Sequence, residues 1–277
     1  MNRPSNRNIS LVICSKDSFD DVCFHLKNAD KYSVGEIIFV TSCENEIEEI
    51  LSYQNKLNTS LILIKDDGTG IGQARSKGLE KVSKEYLIFL GPDNRIESNS
   101  ISKILNQLVT SKFKALAFSQ KIPCPKKYLE KCQNFRFKNK FPTFISRDVI
   151  GTPHIINAED ARKIGYNTEV DCCDDTIFFN AFIETIGPIA CSDIHVDEVS
   201  QNILKRMIWY GKSDFQFLET LQKRSFKNFI HSFITETRYI FYEKNILATV
   251  FYLPGIILMA TTRQYSFIKL WLKSHKV

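Results

Sequence analysis

No CxxC pair and no zinc-ligand spacing occurs among the eight cysteines, Cys14, Cys23, Cys43, Cys124, Cys132, Cys172, Cys173 and Cys191, which argues against a redox dithiol and a zinc-binding module. Several sit inside apolar runs and read as reduced core residues of a cytosolic protein; a disulfide framework is the alternative in an oxidising compartment. No apolar leader opens the chain either. MNRPSNRNIS is polar and runs straight into a strand-like segment, so a secretory signal peptide is not expected and the protein is placed in the cytoplasm. There is no internal repeat. Neither sign of charge dominates: 37 basic residues stand against 31 acidic ones, for a formal charge of +6. Such a surface suits plain solvation as well as contact with phosphates or anionic lipid. The basic residues grow dense from Lys205 onward, between aromatics. A spanning helix takes about 20 apolar residues, and the most apolar stretch, 246–260, is shorter and contains Pro254-Gly255.

What is present is a regular alternation, in a chain whose 43% hydrophobic content is that of a folded protein,. Ile9-Ser10-Leu11-Val12-Ile13-Cys14 is apolar and rich in β-branched residues, then turns polar at Ser15-Lys16-Asp17, as a buried parallel strand ending in a loop would,. Residues 20–27 read as a helix. Further strands at 36–40, 60–64 and 86–90 end in Thr41-Ser42, Lys65-Asp66-Asp67-Gly68 and Gly91-Pro92-Asp93-Asn94. Within a helix over 70–83, Ala74, Gly78 and Val82 fall four apart beside Leu79, which predicts close packing on the sheet,. Strands and helices in this order imply right-handed βαβ units, a mostly parallel central sheet with helices on both faces, and a ligand site at the carboxyl ends of the strands. Residues 121–140, basic, aromatic and proline-punctuated, read as an insertion or surface loop. Residues 153–156 then form a strand and 158–164 a short helix. The expected organisation is one α/β domain over 1–212 and a helical, basic-aromatic segment over 213–277.

Strand, Gly70-Ile71-Gly72-Gln73-Ala74-Arg75, helix, strand and Asp93, in that order, resemble family 2 glycosyltransferases of the GT-A fold, in which G-x-x-x-A-R-N-x-G precedes a strand ending in Asp-x-Asp,. Gly70, Ala74, Arg75 and Gly78 match, and Ser76 stands where Asn is usual. The resemblance runs over about residues 9–195 and implies a GT-A type nucleotide-binding fold with a nucleotide-sugar donor. A departing nucleotide diphosphate carries charge that a divalent cation neutralises. The resemblance assigns that Mn²⁺ or Mg²⁺ to Asp93 and to His195, in Ile194-His195-Val196 ahead of a helix ending in Tyr210-Gly211, with Asn94 as a neutral oxygen. Turn chemistry alone would also account for Asp93, and a lone histidine is more often structural; His25, His154, His231 and His275 have no comparable match. Ser15, Asp17, Thr41 and Arg75 are implied to hold the nucleotide, and Arg206 the diphosphate. Where the family carries further aspartates, this chain has Gly91 and Thr41.

Asp171-Cys172-Cys173-Asp174-Asp175-Thr176, after the Lys163-Ile164-Gly165-Tyr166 turn, resembles the family's Glu-Asp motif at a helix start. Asp175 takes the position of the general base, which in an inverting transfer removes the acceptor hydroxyl proton, and Asp174 lies on the acceptor side. Helix capping is the alternative for both. Around 246–260, Lys244, Arg263, Lys269, Lys273 and Lys276 with Tyr265, Phe267 and Trp271 suit a hairpin or amphipathic helices on an anionic membrane,; burial against the rest of the protein or a partner, and a full span, are the alternatives. The sequence thus predicts a metal-assisted, inverting glycosyltransferase that serves a glycan or lipid-linked acceptor at the cytoplasmic membrane face, with no nucleic-acid partner. A nucleotidyltransferase would need a glycine-rich basic loop where Ser15-Lys16-Asp17 stands. A degenerate GT-A domain that binds a nucleotide or partner without turnover is the rival from another class.

Overall fold

The computed structural model describes residues 5–140, 143–147, 150–169, 174–199, 202–220 and 246–274. Apolar runs become the strands β1 (Ile9–Ser15), β2 (Glu36–Thr41), β3 (Ser60–Lys65) and β4 (Tyr86–Leu90). Helices α1 (Phe19–Asn28), α2 (Glu44–Tyr53) and α3 (Ile71–Lys81) join them. β1 pairs in parallel with both β2 and β4, so that Ile13 lies opposite Phe39 and Leu90, and β2 pairs in parallel with β3. Strands buried on both faces read as continuous apolar runs. The chain moves outward from β1 to β3 and then returns, through α3, to put β4 on the other side of β1. That reversal is the switch point at which such sheets bind ligands.

Past β4 the sheet continues in antiparallel fashion: β8 (His154–Asn157) runs against β4 and against β6 (Ala115–Lys121). With β5 (Asn94–Arg95), β9 (Ile189–Glu198) and β7 (Ser146–Arg147) paired to β9, the order is β3-β2-β1-β4-β8-β6-β9-β5. Helices α4 (Ser98–Thr110), α6 (Ala158–Ile164) and α7 (Asp174–Thr185) add to the helical cover, so the α/β class expected is the one observed. Leu11, Ile13, Phe39 and Ile88 form the core with Leu26, Ile101 and Leu105. Contact between α3 and the sheet runs through Gly78, where an added Cβ would stand 2.7 Å from Val12 Cγ1 and 3.3 Å from Val40 Cγ2.

Contacts divide the chain into two compact units, 1–119 with 143–197 and 120–142 with 198–277. The second holds α5 (Tyr128–Lys140), α8 (Ile203–Thr220) and α9 (Ile246–Ser274); the boundary expected at 212/213 falls inside α8. Segment 121–140, expected as an insertion or surface loop, contains α5. Its buried face mixes Cys132, Phe135 and Phe137 with Gln133 and Arg136, so no clean apolar stripe announces the helix. Of the hairpin and the amphipathic helices expected around 246–260, a helix is observed, and α9 runs through Pro254-Gly255. Proline removes a donor from the helix ladder, and the Tyr128 hydroxyl serves that turn from outside, donating to Phe251 O at 2.7 Å and accepting from Gly255 N–H at 3.3 Å. The aromatic stretch 221–245 lies outside the described residues.

Replacing Gly78 by Leu forces α3 off β1 and β2 and is expected to lower stability by about 1–3 kcal/mol. Urea denaturation reads this as a lower midpoint; an unchanged midpoint would contradict the close approach.

Candidate active site

Arg75, near the start of α3, is buried. It donates Nη1 to Asp174 Oδ2 at 2.7 Å and Nη2 to Thr152 Oγ1 at 2.6 Å. Its guanidinium carbon lies 6.0 Å from the Phe89 ring centroid and 5.8 Å from that of Tyr166, and Tyr166 stacks on Phe178 at 4.3 Å. A buried cation needs such a partner, because the low-dielectric interior otherwise disfavours its charge. The bond to Asp174 joins residues 99 positions apart and fixes the start of α7 against α3. Asp174, expected on the acceptor side, and Arg75, expected at the nucleotide, are thus held by each other.

Asp175 follows directly. Its Oδ1 accepts the N–H of Thr176 at 2.9 Å, and its Oδ2 faces Gly151, where an added Cβ would lie 3.8 Å away. Burial pushes the Asp175 carboxyl above the ordinary carboxylate value, Arg75 draws it down, and the Asp174 charge pushes it up again. A carboxylate so placed accepts a proton more readily than one in water. Asp171, Cys172 and Cys173 of the same motif lie outside the described residues. Burial also pushes the Cys14 thiol, at the end of β1, up to about 12, against the pull of Arg75, which keeps it protonated.

Sequence reasoning did not single out Thr152 or His154 and gave Tyr166 only a place in a turn. The Gly151 carbonyl, 3.2 Å from His154 Nδ1, can only accept, so Nδ1 carries the hydrogen and Nε2 accepts from the Tyr166 hydroxyl at 3.4 Å,. Burial and then Arg75 push His154 down to about 3.

At the carboxyl ends of β1 to β3 the expected nucleotide residues take different positions. Ser15 is buried, and its Oγ has no hydrogen-bond partner among the described residues. Asp17 is exposed in the left-handed region at φ 55°; its N–H donates to Cys43 Sγ at 3.1 Å and its Oδ1 accepts from that thiol at 3.2 Å. Thr41 is buried and donates to Glu46 Oε2 at 2.5 Å, while Glu46 Oε1 accepts the Ser18 N–H at 2.6 Å. A carboxylate is therefore present at the end of β2, but α2 supplies it. At the end of β3, Lys77 bridges Asp66 and Asp67, each at 2.9 Å.

The turn after β4 is tight at position 91, where the first aspartate of the family motif is missing. Asn94, expected as a neutral ligand, is buried, with its amide oxygen accepting the Gly91 N–H at 3.2 Å. A Cβ at position 91 would lie 2.8 Å from that oxygen and 2.9 Å from Asp93 Oδ1, so a larger residue here would make both side chains shift. The Pro92 carbonyl is gripped from beneath by Arg95 Nη1 at 2.7 Å and by His25 Nε2 at 2.9 Å. Arg95 pairs with Asp21 and lies 4.0 Å over the Phe24 ring, while His25 Nδ1 accepts from the Tyr32 hydroxyl at 2.7 Å. Asp93 itself is half-buried. His195 is exposed on β9, and Arg206, in the second unit, pairs with Glu198. Among the described residues no three His, Cys, Asp or Glu side chains gather as a metal-ligand group. One carboxylate on a tight turn still fits a hard divalent cation that takes its remaining oxygens from phosphates and water.

His25, pushed down to about 4 by burial, and His154 are neutral in the fold, whereas both protonate near their ordinary 6.5 in the unfolded chain. The unfolded state then binds more protons, so stability is full above pH 6.5 and falls as pH drops towards the folded values. Urea denaturation at pH 7 and pH 5 is expected to show that loss, and His25→Phe should flatten it; a pH-independent midpoint over this range would contradict it.

Residues 16–186 match the model of glycosyl transferase family 2. No curated protein sequence matches the chain. Among solved structures, the crystal structure of S. aureus TarS superimposes with a TM-score of 0.52 at 12% identity, over 94% of this chain and 54% of that one. The chain therefore spans about half of that protein. TarS 1–349 in complex with UDP-GlcNAc gives 0.53 at 11% identity, over 96% and 92%. GalNAc-T7 with UDP, GalNAc and Mn²⁺ gives 0.53 at 13% identity, over 70% and 44%. At these identities the likeness is one of fold. With a family match that covers more than half of its length and a GT-A fold to carry it, the chain belongs to glycosyl transferase family 2.

Proposed function

We propose that this glycosyltransferase moves a sugar from a nucleotide-sugar donor to a glycan or lipid-linked acceptor with inversion at the anomeric carbon, at the cytoplasmic face of a membrane. The observation that carries this reading is Asp175, a half-buried carboxylate whose pKa is raised, at the helix start that Arg75 and Asp174 hold in place. Asp175 takes the acceptor hydroxyl proton as that oxygen bonds to the anomeric carbon, and the electrons of the breaking bond leave with the nucleotide diphosphate. Asp174 and Arg75 orient Asp175. Asp17, Ser15 and Thr41 mark the edge at which the base and ribose are bound. Asp93 and His195 would hold Mn²⁺ or Mg²⁺, which when bound neutralises charge on the leaving diphosphate. Support comes from the family match and from similar folds solved with UDP-GlcNAc or with UDP, GalNAc and Mn²⁺.

Release of nucleotide diphosphate from a panel of nucleotide sugars, with Mn²⁺ present, tests the reading. Asp175→Asn is expected to slow release by about 10²–10⁴-fold while donor affinity stays unchanged. Because the base must be deprotonated, the wild-type rate should fall with falling pH on a limb above the ordinary aspartate value of 3.8. Unchanged turnover in the variant would remove Asp175 from the base role, and no release from any donor would leave a binding domain without turnover.

A further inference from the structure

Within the second unit, α9 has two unlike faces. One buries Ile256, Met259, Ala260 and Phe267 and packs on α8 and α5. The other carries Leu247, Phe251, Leu258, Tyr265 and Leu272, which are 83, 58, 46, 65 and 48% exposed. Successive steps of four and then seven residues keep these side chains on one stripe along the whole helix,. At a rise of about 1.5 Å per residue the stripe from Leu247 to Leu272 is about 38 Å long,. A contiguous exposed apolar surface of that extent marks a site of interaction.

Charge decides what covers it. α9 contains no Asp or Glu. Arg263 is taken by Asp214 of α8 at 2.6 Å, which leaves Lys269 and Lys273 as the exposed charges along the helix. The seven-residue spacing would also suit a second copy of α9. In either orientation such a pair would bring lysines to its margin with no carboxylate on either helix to meet them. Anionic lipid head groups supply that counter-charge, and Tyr265 and Trp271 have the part-apolar, part-polar rings that settle at head-group depth. No helix among the described residues is long and apolar enough to cross a membrane, so the contact lies in the plane of the interface.

We propose that the exposed stripe of α9 is a monotopic membrane-binding surface, with Leu247, Phe251, Leu258 and Leu272 in the acyl boundary of an anionic bilayer and Lys269 and Lys273 on its phosphates. This deepens the membrane-side reading above, on which its bearing on the acceptor rests. Vesicle binding needs neither donor nor turnover, so the surface and the transfer reaction stand or fall separately.

Flotation of the full chain with vesicles of phosphatidylcholine alone, and of phosphatidylcholine with phosphatidylglycerol, tests the surface. Binding to the anionic vesicles is expected to exceed that to neutral ones by at least about tenfold, and to weaken with salt. A Leu247→Glu, Leu258→Glu double variant, changed at exposed positions, should keep its thermal midpoint and lose binding by at least about tenfold. Absence of binding in the wild type, or equal binding by the variant, overturns the proposal. A wild-type dimer in light scattering that the variant dissolves, without vesicle binding, also overturns it by giving the face to a second copy.

Discussion

A buried ion pair, Arg75 with Asp174, is the constraint on which the site depends. A guanidinium taken out of water is stable only with a carboxylate and further acceptors around it. Here Asp174 and Thr152 provide these, and Phe89 and Tyr166 close the apolar sides. Loss of either charge alone would strand the other, at a cost of about 3–5 kcal/mol. The pair ties α3, at the sheet's switch point, to α7, whose second residue is Asp175. Position and basicity of Asp175 are therefore set together, since the contacts that hold it also bury it and place one opposing and one like charge beside it.

The turn after β4 shows a different economy. Asp93 sits on a tight turn whose Pro92 carbonyl is held by Arg95 and His25 and whose Gly91 leaves room for the oxygens of Asn94 and Asp93. An aspartate at position 91 would require the Asn94 and Asp93 side chains to move. Glycine at position 91 suits that close packing, and one carboxylate, Asp93, remains at the strand end.

The α/β order was readable because buried parallel strands appear as unbroken apolar runs, and because Ala74, Gly78 and Leu79 mark the packed face of α3. Asp174 and Asp175 were singled out because they resemble the family's Glu-Asp motif at a helix start. Their link to Arg75, Thr152 and Tyr166 was not readable, because it joins distant positions through side-chain geometry that leaves no period. Glu46 escaped notice for a similar reason, since the carboxylate at the end of β2 comes from the next helix. α5 was not legible as a helix because its buried face includes Gln133 and Arg136. The continuity of α9 through Pro254 depends on a tyrosine hydroxyl more than 120 positions away.

The central claim, that this fold holds a nucleotide sugar at the carboxyl edge of β1 to β4, is tested most directly by thermal shift against a panel of nucleotide sugars, with and without Mn²⁺. A ligand that binds only the native state raises the midpoint by mass action. At least one donor is expected to raise it in the presence of Mn²⁺, with the rise reduced by chelator and by Asp93→Asn. A midpoint unmoved by every donor, with the metal present, would contradict the account.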